Sequence, residues 1–212
     1  ALGFPPELLA KVVPIVQMDD LIEERTGARS GEYGGYFRMN PRVDDIPARF
    51  AVSHRGVHLM EMGRVRGAGS GCVCPENTMV KALVTHLLLR ERETVLMDMV
   101  AGLEHLGRGT AAAVDIMHVV VEPGARSLRI ARDIVELAEG LRIRNLWAVA
   151  NKVRDERDLE RIHAKLAGIP LAGWLSVDDR VIEADLDGEA VYDAVPELAE
   201  RAREIASESG AL

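Results

Sequence analysis

The chain has 212 residues, 48% apolar and 28% charged, which suits one large α/β domain with a full core. Its formal net charge of −8 argues against a general nucleic-acid binder, which needs a basic face to neutralise phosphates. No apolar run is long enough to span a bilayer, no basic region and apolar core mark a signal peptide, and the two cysteines suit a reducing compartment, so the chain reads as cytoplasmic.

Ala1-Leu2-Gly3-Phe4-Pro5-Pro6 reads like the middle of a domain, so a longer parent chain is expected. From Arg25 to Ala48 the sequence is rich in Gly, Arg and aromatics, with weak periodicity. It reads as a long excursion, either a lid or a surface loop. Val57 to Met62 is expected as a short strand. Val80, Leu83, Val84 and Leu87 follow i, i+3, i+4, i+7, which predicts an amphipathic helix over Glu76 to Arg90. Val95 to Asp98 and Asp115 to Val121 read as apolar strands, the second closed by Pro123. Ser127 to Gly140 is expected as a helix stopped by Gly140. A strand over Leu146 to Ala150, a helix over Glu156 to Ala167, a strand over Leu171 to Leu175 and a helix over Glu197 to Ser207 complete the order. Near-continuous apolar strands separated by helices imply an α/β fold: three layers, with a mostly parallel sheet covered by helices on both faces. No repeat or linker divides the chain, so a single domain over 1–212 is expected.

Three short patterns could carry chemistry. Asp98 is expected at the C-terminal end of a strand, where α/β proteins hold a magnesium ion beside a nucleotide, and Ala101-Gly102 follow in a loop where a glycine N–H can approach a phosphate. The bland alternative is a solvated Asp before a Gly turn. Cys72 and Cys74, in Gly71-Cys72-Val73-Cys74-Pro75, can present two thiolates to one ion, and a two-fold dimer would complete four ligands for zinc or nickel. Two buried free thiols, or a strained local disulfide, are the alternatives. Asn151 follows an expected strand, where a carboxamide can donate and accept at once as an adenine edge requires; a turn Asn capping the strand is the simpler reading. The glycine run Gly63 to Gly71 lacks the Lys-Ser/Thr pair of a phosphate-binding loop, and no GxxxxGK[ST] occurs in the chain. Among the histidines His118 reads as a core residue, and only His105, in the loop after Asp98, invites attention. Arg154 to Arg161 reads as a solvated helix face.

Taken together, Gly71-Cys72-Val73-Cys74-Pro75-Glu76-Asn77, Val80 to Leu87, Met97 to Thr110, Val119 to Pro123, Arg126-Ser127 and Ala150 to Val153 resemble the CooC-type ATPases. These are accessory proteins for nickel insertion into carbon monoxide dehydrogenase, in the MinD/nitrogenase-iron-protein class of P-loop NTPases. The resemblance runs from Ala1 to about Asp187. It implies that Asp98 matches the Walker B aspartate, which holds Mg²⁺ through water, and that Gly102 matches the switch II glycine, whose N–H senses the γ-phosphate of ATP. It implies that Asn151 recognises the base, and that Cys72 and Cys74 bind one Ni²⁺ or Zn²⁺ between the subunits of a homodimer. Carbon monoxide dehydrogenase is the implied client, with acetyl-CoA synthase a close variant.

The family's first strand, P-loop, first helix and switch I aspartate have no counterpart in these residues, so the segment by itself is not expected to hydrolyse ATP. Related sequences carry Ile-Pro-x-Asp where Leu175-Ser176-Val177-Asp178 stands here, so a proline contact to the base is not implied. Two alternatives come from other functional classes. One is a reductase like the nitrogenase iron protein, although its cluster cysteines lie far apart. The other is a MinD- or ParA-type positioning ATPase, although Arg201 to Leu212 offers no strong apolar face.

Overall fold

The computed structural model describes residues 2–29, 36–63, 74–88, 93–99, 114–166 and 168–211, with Cys74 and Leu88 as backbone only. The chain separates into two compact units, Phe4–Met97 and Asp98–Leu212, the latter joined by Ala1–Gly3.

In the Phe4–Met97 unit, α1 (Pro6–Leu9) starts on a proline, whose missing N–H costs nothing at a helix start. A single 3₁₀ turn (Ile15–Gln17) leads into α2 (Asp19–Thr26), which has two aspartates in its first turn and Gly27 in the left-handed conformation at its end. Helix α3 (Ile46–Phe50) precedes a hairpin of β1 (Val52–His54) and β2 (Val57–Leu59). Arg55 and Gly56 both have positive φ at its turn, the combination whose twist matches antiparallel strands. The strand expected to reach Met62 stops at Leu59 because the carbonyls of Glu61 and Met62 accept instead from the N–H groups of Ile15 and Val16, at 2.9 and 3.2 Å. Helix α4 (Cys74–Leu88) buries Met79, Val80 and Leu83 against Ile15, Leu21, Ile22, Val43 and Ile46. Val84 and Leu87 pack at the edge of this cluster, as the helical spacing predicts. The excursion expected over Arg25 to Ala48 is partly helical. Arg25 and Thr26 belong to α2, Ile46 to Ala48 belong to α3, and Arg25 Nη2 meets Asp45 Oδ2 at 2.8 Å.

The expected strand over Val95 to Asp98 is not found. Residues 93–99 have no regular structure, and Leu96 is 88% exposed. A strand exists only where a neighbour completes its ladder, and no described strand pairs with this segment.

The Asp98–Leu212 unit is built on β3 (Met117–Val121), β4 (Leu146–Val153) and β5 (Leu171–Ser176), parallel and in that order. Helix α5 (Ala125–Gly140) joins β3 to β4, and α6 (Glu156–His163) joins β4 to β5. Helices α7 (Asp179–Asp187), α8 (Val191–Ala194) and α9 (Pro196–Glu208) follow. On one face Leu128, Ala131, Val135 and Ala138 of α5, with Ile162 of α6, cover Val119, Val121, Leu146, Ala148, Ala150 and Val153. On the other face Ile205 of α9 packs on Val149 and Ala172, with Trp147 and Leu175 at the edge. His118 Nε2 lies 2.8 Å from Ser209 Oγ, which ties β3 to the end of α9 and satisfies a histidine inside an apolar strand. Burial holds the His118 imidazole below its ordinary pKa. The fold class is therefore α/β, with a parallel sheet between helical layers.

Helix α5 ends where expected, but Gly140 is not the residue that turns the chain. Arg142 takes the left-handed conformation instead, at φ 62°. Ile143 N–H donates to Ala138 O, and Arg142 N–H to Glu139 O, both at 2.9 Å, which closes a Schellman motif.

Candidate functional site

Parallel strands present their carboxyl ends at one edge of a sheet, and ligands of α/β folds bind there. In the Asp98–Leu212 unit that edge carries a cleft of about 560 Å³. It is lined by Val119 and Val120 of β3, the Glu122-Pro123-Gly124 turn, Arg126, Ser127 and Ile130 of α5, and Lys152, Arg154 and Val177. The turn is held by Ser127 Oγ, which accepts the Glu122 N–H at 2.9 Å.

Strand β4 reaches this edge in an unusual way. Its pairing with β5 shifts register between Ala148 and Val149, slips again after Ala150, and resumes at Val153 opposite Ser176. Lys152 sits inside the slip with φ 56°. The chain was expected to leave the strand at Ala150; instead β4 continues through Val153. Val153 is buried, and its carbonyl accepts the Val177 N–H at 3.1 Å, so leaving the sheet at Ala150 would forfeit both that burial and that bond. Asn151 therefore lies in a bulge rather than in a following loop. Its Oδ1 accepts the Lys152 backbone N–H at 3.0 Å. Because an N–H can only donate, this contact fixes which end of the carboxamide is oxygen and leaves Nδ2 as its donor end.

Two ion pairs stand at the cleft. Lys152 Nζ meets Glu122 Oε1 at 2.7 Å, bridging the ends of β3 and β4. Arg154 grips Asp158 through Nε at 2.7 Å and Nη2 at 2.8 Å, and its backbone N–H also reaches Asp158 Oδ2 at 3.2 Å. The Arg154 guanidinium holds the Asp158 carboxyl below the usual carboxylate range. Asp158 is only 1% exposed, so the segment expected to be a solvated face contains a buried anchor. Asp155 Oδ1 caps α6 by accepting the Asp158 N–H at 3.0 Å. The spacing Asp155-x-x-Asp158 resembles a capping box and was the available signal.

The expected site residues distribute as follows. Asp98 is described and exposed, in a segment without regular structure, and it belongs to the same unit as Asn151. Gly102 and Cys72 lie outside the described residues, as does His105. Cys74 is the first residue of α4, in the Phe4–Met97 unit. Among the described residues no three His, Cys, Asp or Glu side chains gather around a common point. No described helix is long and apolar enough to cross a membrane.

The chain is 45% identical over 202 residues to the carbon monoxide dehydrogenase accessory protein CooC of Rhodospirillum rubrum, covering 95% of this chain and 76% of that protein. The chain belongs to the CooC family. An uncharacterised ATP-binding protein of Methanocaldococcus jannaschii is 39% identical over 193 residues, 90% of this chain and 74% of that protein. A second from the same organism is 36% identical over 155 residues, 68% of this chain and 60% of that protein. No model of a known protein family matches the chain.

For this CooC-family chain the described edge offers one side-chain amide. Asn151 Nδ2 is a neutral donor of the kind a purine ring nitrogen accepts.

Proposed function

We propose that the full protein is an ATP-dependent maturation ATPase that delivers nickel to carbon monoxide dehydrogenase. The observation that carries this reading is the 45% identity, over 95% of the chain, to a protein named for accessory service to that enzyme. The ATP-binding relatives support the nucleotide half. Asn151 supports it locally, as a carboxamide at the carboxyl end of a parallel strand with its Oδ1 held by the Lys152 N–H.

In this reading Asn151 would bind the adenine edge, Asp98 would hold the Mg²⁺ that accompanies ATP, and Gly102 would sense the γ-phosphate. Bound Mg–ATP supplies a phosphoryl group whose presence or loss the protein can sense. Cys72 and Cys74 hold the cargo ion. A thiolate pair suits Ni²⁺ or Zn²⁺ but supplies only two of four ligands. A second copy of the chain supplies the other pair, so the working form is a homodimer with one ion at its axis. The thiols must shed their protons to bind, so cargo affinity falls as pH falls.

The test is a nickel titration of the full-length protein with metal analysis of the purified complex. One ion per two chains is expected, with binding abolished in the Cys72→Ser, Cys74→Ser double variant. Unchanged nickel affinity in that variant would remove the metal site and, with it, the delivery role.

A further inference from the structure

We propose that Arg126 is a phosphate-binding residue, its guanidinium meeting the phosphate chain of ATP at the carboxyl edge of the sheet. The inference rests on the reading that ATP occupies this edge. What the cleft leaves unused and where Arg126 stands on its helix carry it.

Five residues that line the cleft are polar or charged: Glu122, Arg126, Ser127, Lys152 and Arg154. Four are engaged within the protein. Lys152 Nζ and Glu122 Oε1 hold each other at 2.7 Å, Ser127 Oγ accepts the Glu122 N–H, and Arg154 grips Asp158 through Nε and Nη2. Arg126 is exposed, and its guanidinium has no hydrogen bond or ion pair among the described residues.

That free charge stands where the fold itself disfavours it. Arg126 is the second residue of α5, whose first turn contains no acidic residue. The partial positive charge at a helix start opposes a cation there. One turn further along come Arg129 and Ile130, so α5 supplies no carboxylate and one like charge. The other helices of this unit obey the rule, with Glu156 and Asp158 in the first turn of α6, Asp179 in α7 and Glu197 in α9. Departures from such local rules gather at functional sites.

An external anion resolves both observations, and a phosphate suits the fork of a guanidinium, which donates two parallel N–H bonds. The position is right for a nucleotide. Val121 of β3 pairs with Ala150 of β4, so the chain leading to Arg126 and the strand carrying Asn151 reach the same edge side by side. A base held at β4 would send its phosphates across the end of β3.

The experiment uses the full-length protein and equilibrium titration with the magnesium complex of AMP-PNP, a non-hydrolysable ATP analogue, and with its guanine counterpart. Arg126→Gln is expected to weaken AMP-PNP binding roughly ten- to a hundredfold, the worth of a charge-assisted hydrogen bond. The gap should narrow as salt rises. The adenine-over-guanine preference should stay as in wild type, and the urea midpoint of the nucleotide-free variant should be no lower, because α5 loses a disfavoured cation. Unchanged AMP-PNP affinity would overturn the inference. So would a loss accompanied by a lower midpoint and an altered base preference, which is what damage to the cleft produces. Asn151→Ala keeps the two readings apart. It should lose the base preference, and if it does not, the assignment of Asn151 falls while an Arg126→Gln loss still stands. Wild-type protein that binds no AMP-PNP would end both. Should Arg126→Gln not fold, Arg126→Lys keeps the charge without the fork: a several-fold loss of AMP-PNP affinity would support the contact, and wild-type affinity would overturn it.

Discussion

Gly173 lies on β5 directly beneath α9, and a β-carbon built there would stand 2.6 Å from Ile205 Cγ1. Ordinary carbon contacts begin near ~3.5 Å, so Gly173→Ala requires about 0.9 Å of movement. The obstructing atom is not the free end of a long side chain. It lies next to the branch point of Ile205, which is 8% exposed on a helix that is also tied to β3 through Ser209 and His118. Overpacking of this kind costs ~1–3 kcal/mol, and replacing a strand glycine returns about 0.5–1 kcal/mol through the unfolded chain. A net loss of roughly 0.5–2 kcal/mol remains, or a fall in Tm of about 1–8 °C for a protein of this size. Urea unfolding followed by far-UV circular dichroism measures it. The companion is Ile205→Ala, which alone should cost about 2–5 kcal/mol through its cavity. In the double variant the new methyl occupies part of that cavity, so the two changes should couple by ~1 kcal/mol or more in the favourable direction. A Gly173→Ala protein as stable as wild type, or strict additivity in the double variant, would refute the close approach of α9 to the sheet.

Other outcomes follow from the site. Asp158 has its folded-state pKa depressed by Arg154, so its contribution is fully present above the unfolded carboxyl value of about 4 and is lost as pH falls through the folded value. Asp158→Asn should therefore lower the urea midpoint at neutral pH and converge with wild type in acid; a constant difference at both pH values would contradict the ion pairing. Asp155→Ala should cost about 0.5–2 kcal/mol through loss of the α6 cap, read from the same midpoints. Asp98→Ala in the full-length protein should abolish ATP hydrolysis while leaving nickel stoichiometry intact, and normal turnover would remove Asp98 from the magnesium site.

Much of the Asp98–Leu212 unit was legible because its signals are local and repeated. The burial of Leu128, Ala131, Val135 and Ala138 is a helical period visible in the residues themselves, and the apolar runs at Met117–Val121 and Leu146–Ala150 are both strands. The early helices were missed because their apolar faces are narrow. In α2 only Leu21 and Ile22 are buried apolar residues, although Asp19-Asp20 and Gly27 mark its two ends. Val95–Asp98 failed for the opposite reason. A short apolar run reads as a strand wherever it occurs, but pairing is a property of distant chain that such a run does not encode. At the site, Asn151 was visible as a residue type in a context. The bulge around it was not, because a left-handed lysine has no sequence signature; the Val153 burial and the Val177 contact that enforce it come from the next strand. Asp158 was hidden inside a charge-rich stretch whose only clue was its spacing from Asp155.

The chain's two tryptophans, Trp147 and Trp174, both attend α9. One packs at the edge of the Ile205 cluster, and the other lies with its ring 5.1 Å beneath the Arg201 guanidinium. Neither lies in the Phe4–Met97 unit. Intrinsic fluorescence of this protein is consequently a selective gauge: emission excited at the indole band should register the seating of the last helix, and stay blind to events confined to the half that carries the cysteines.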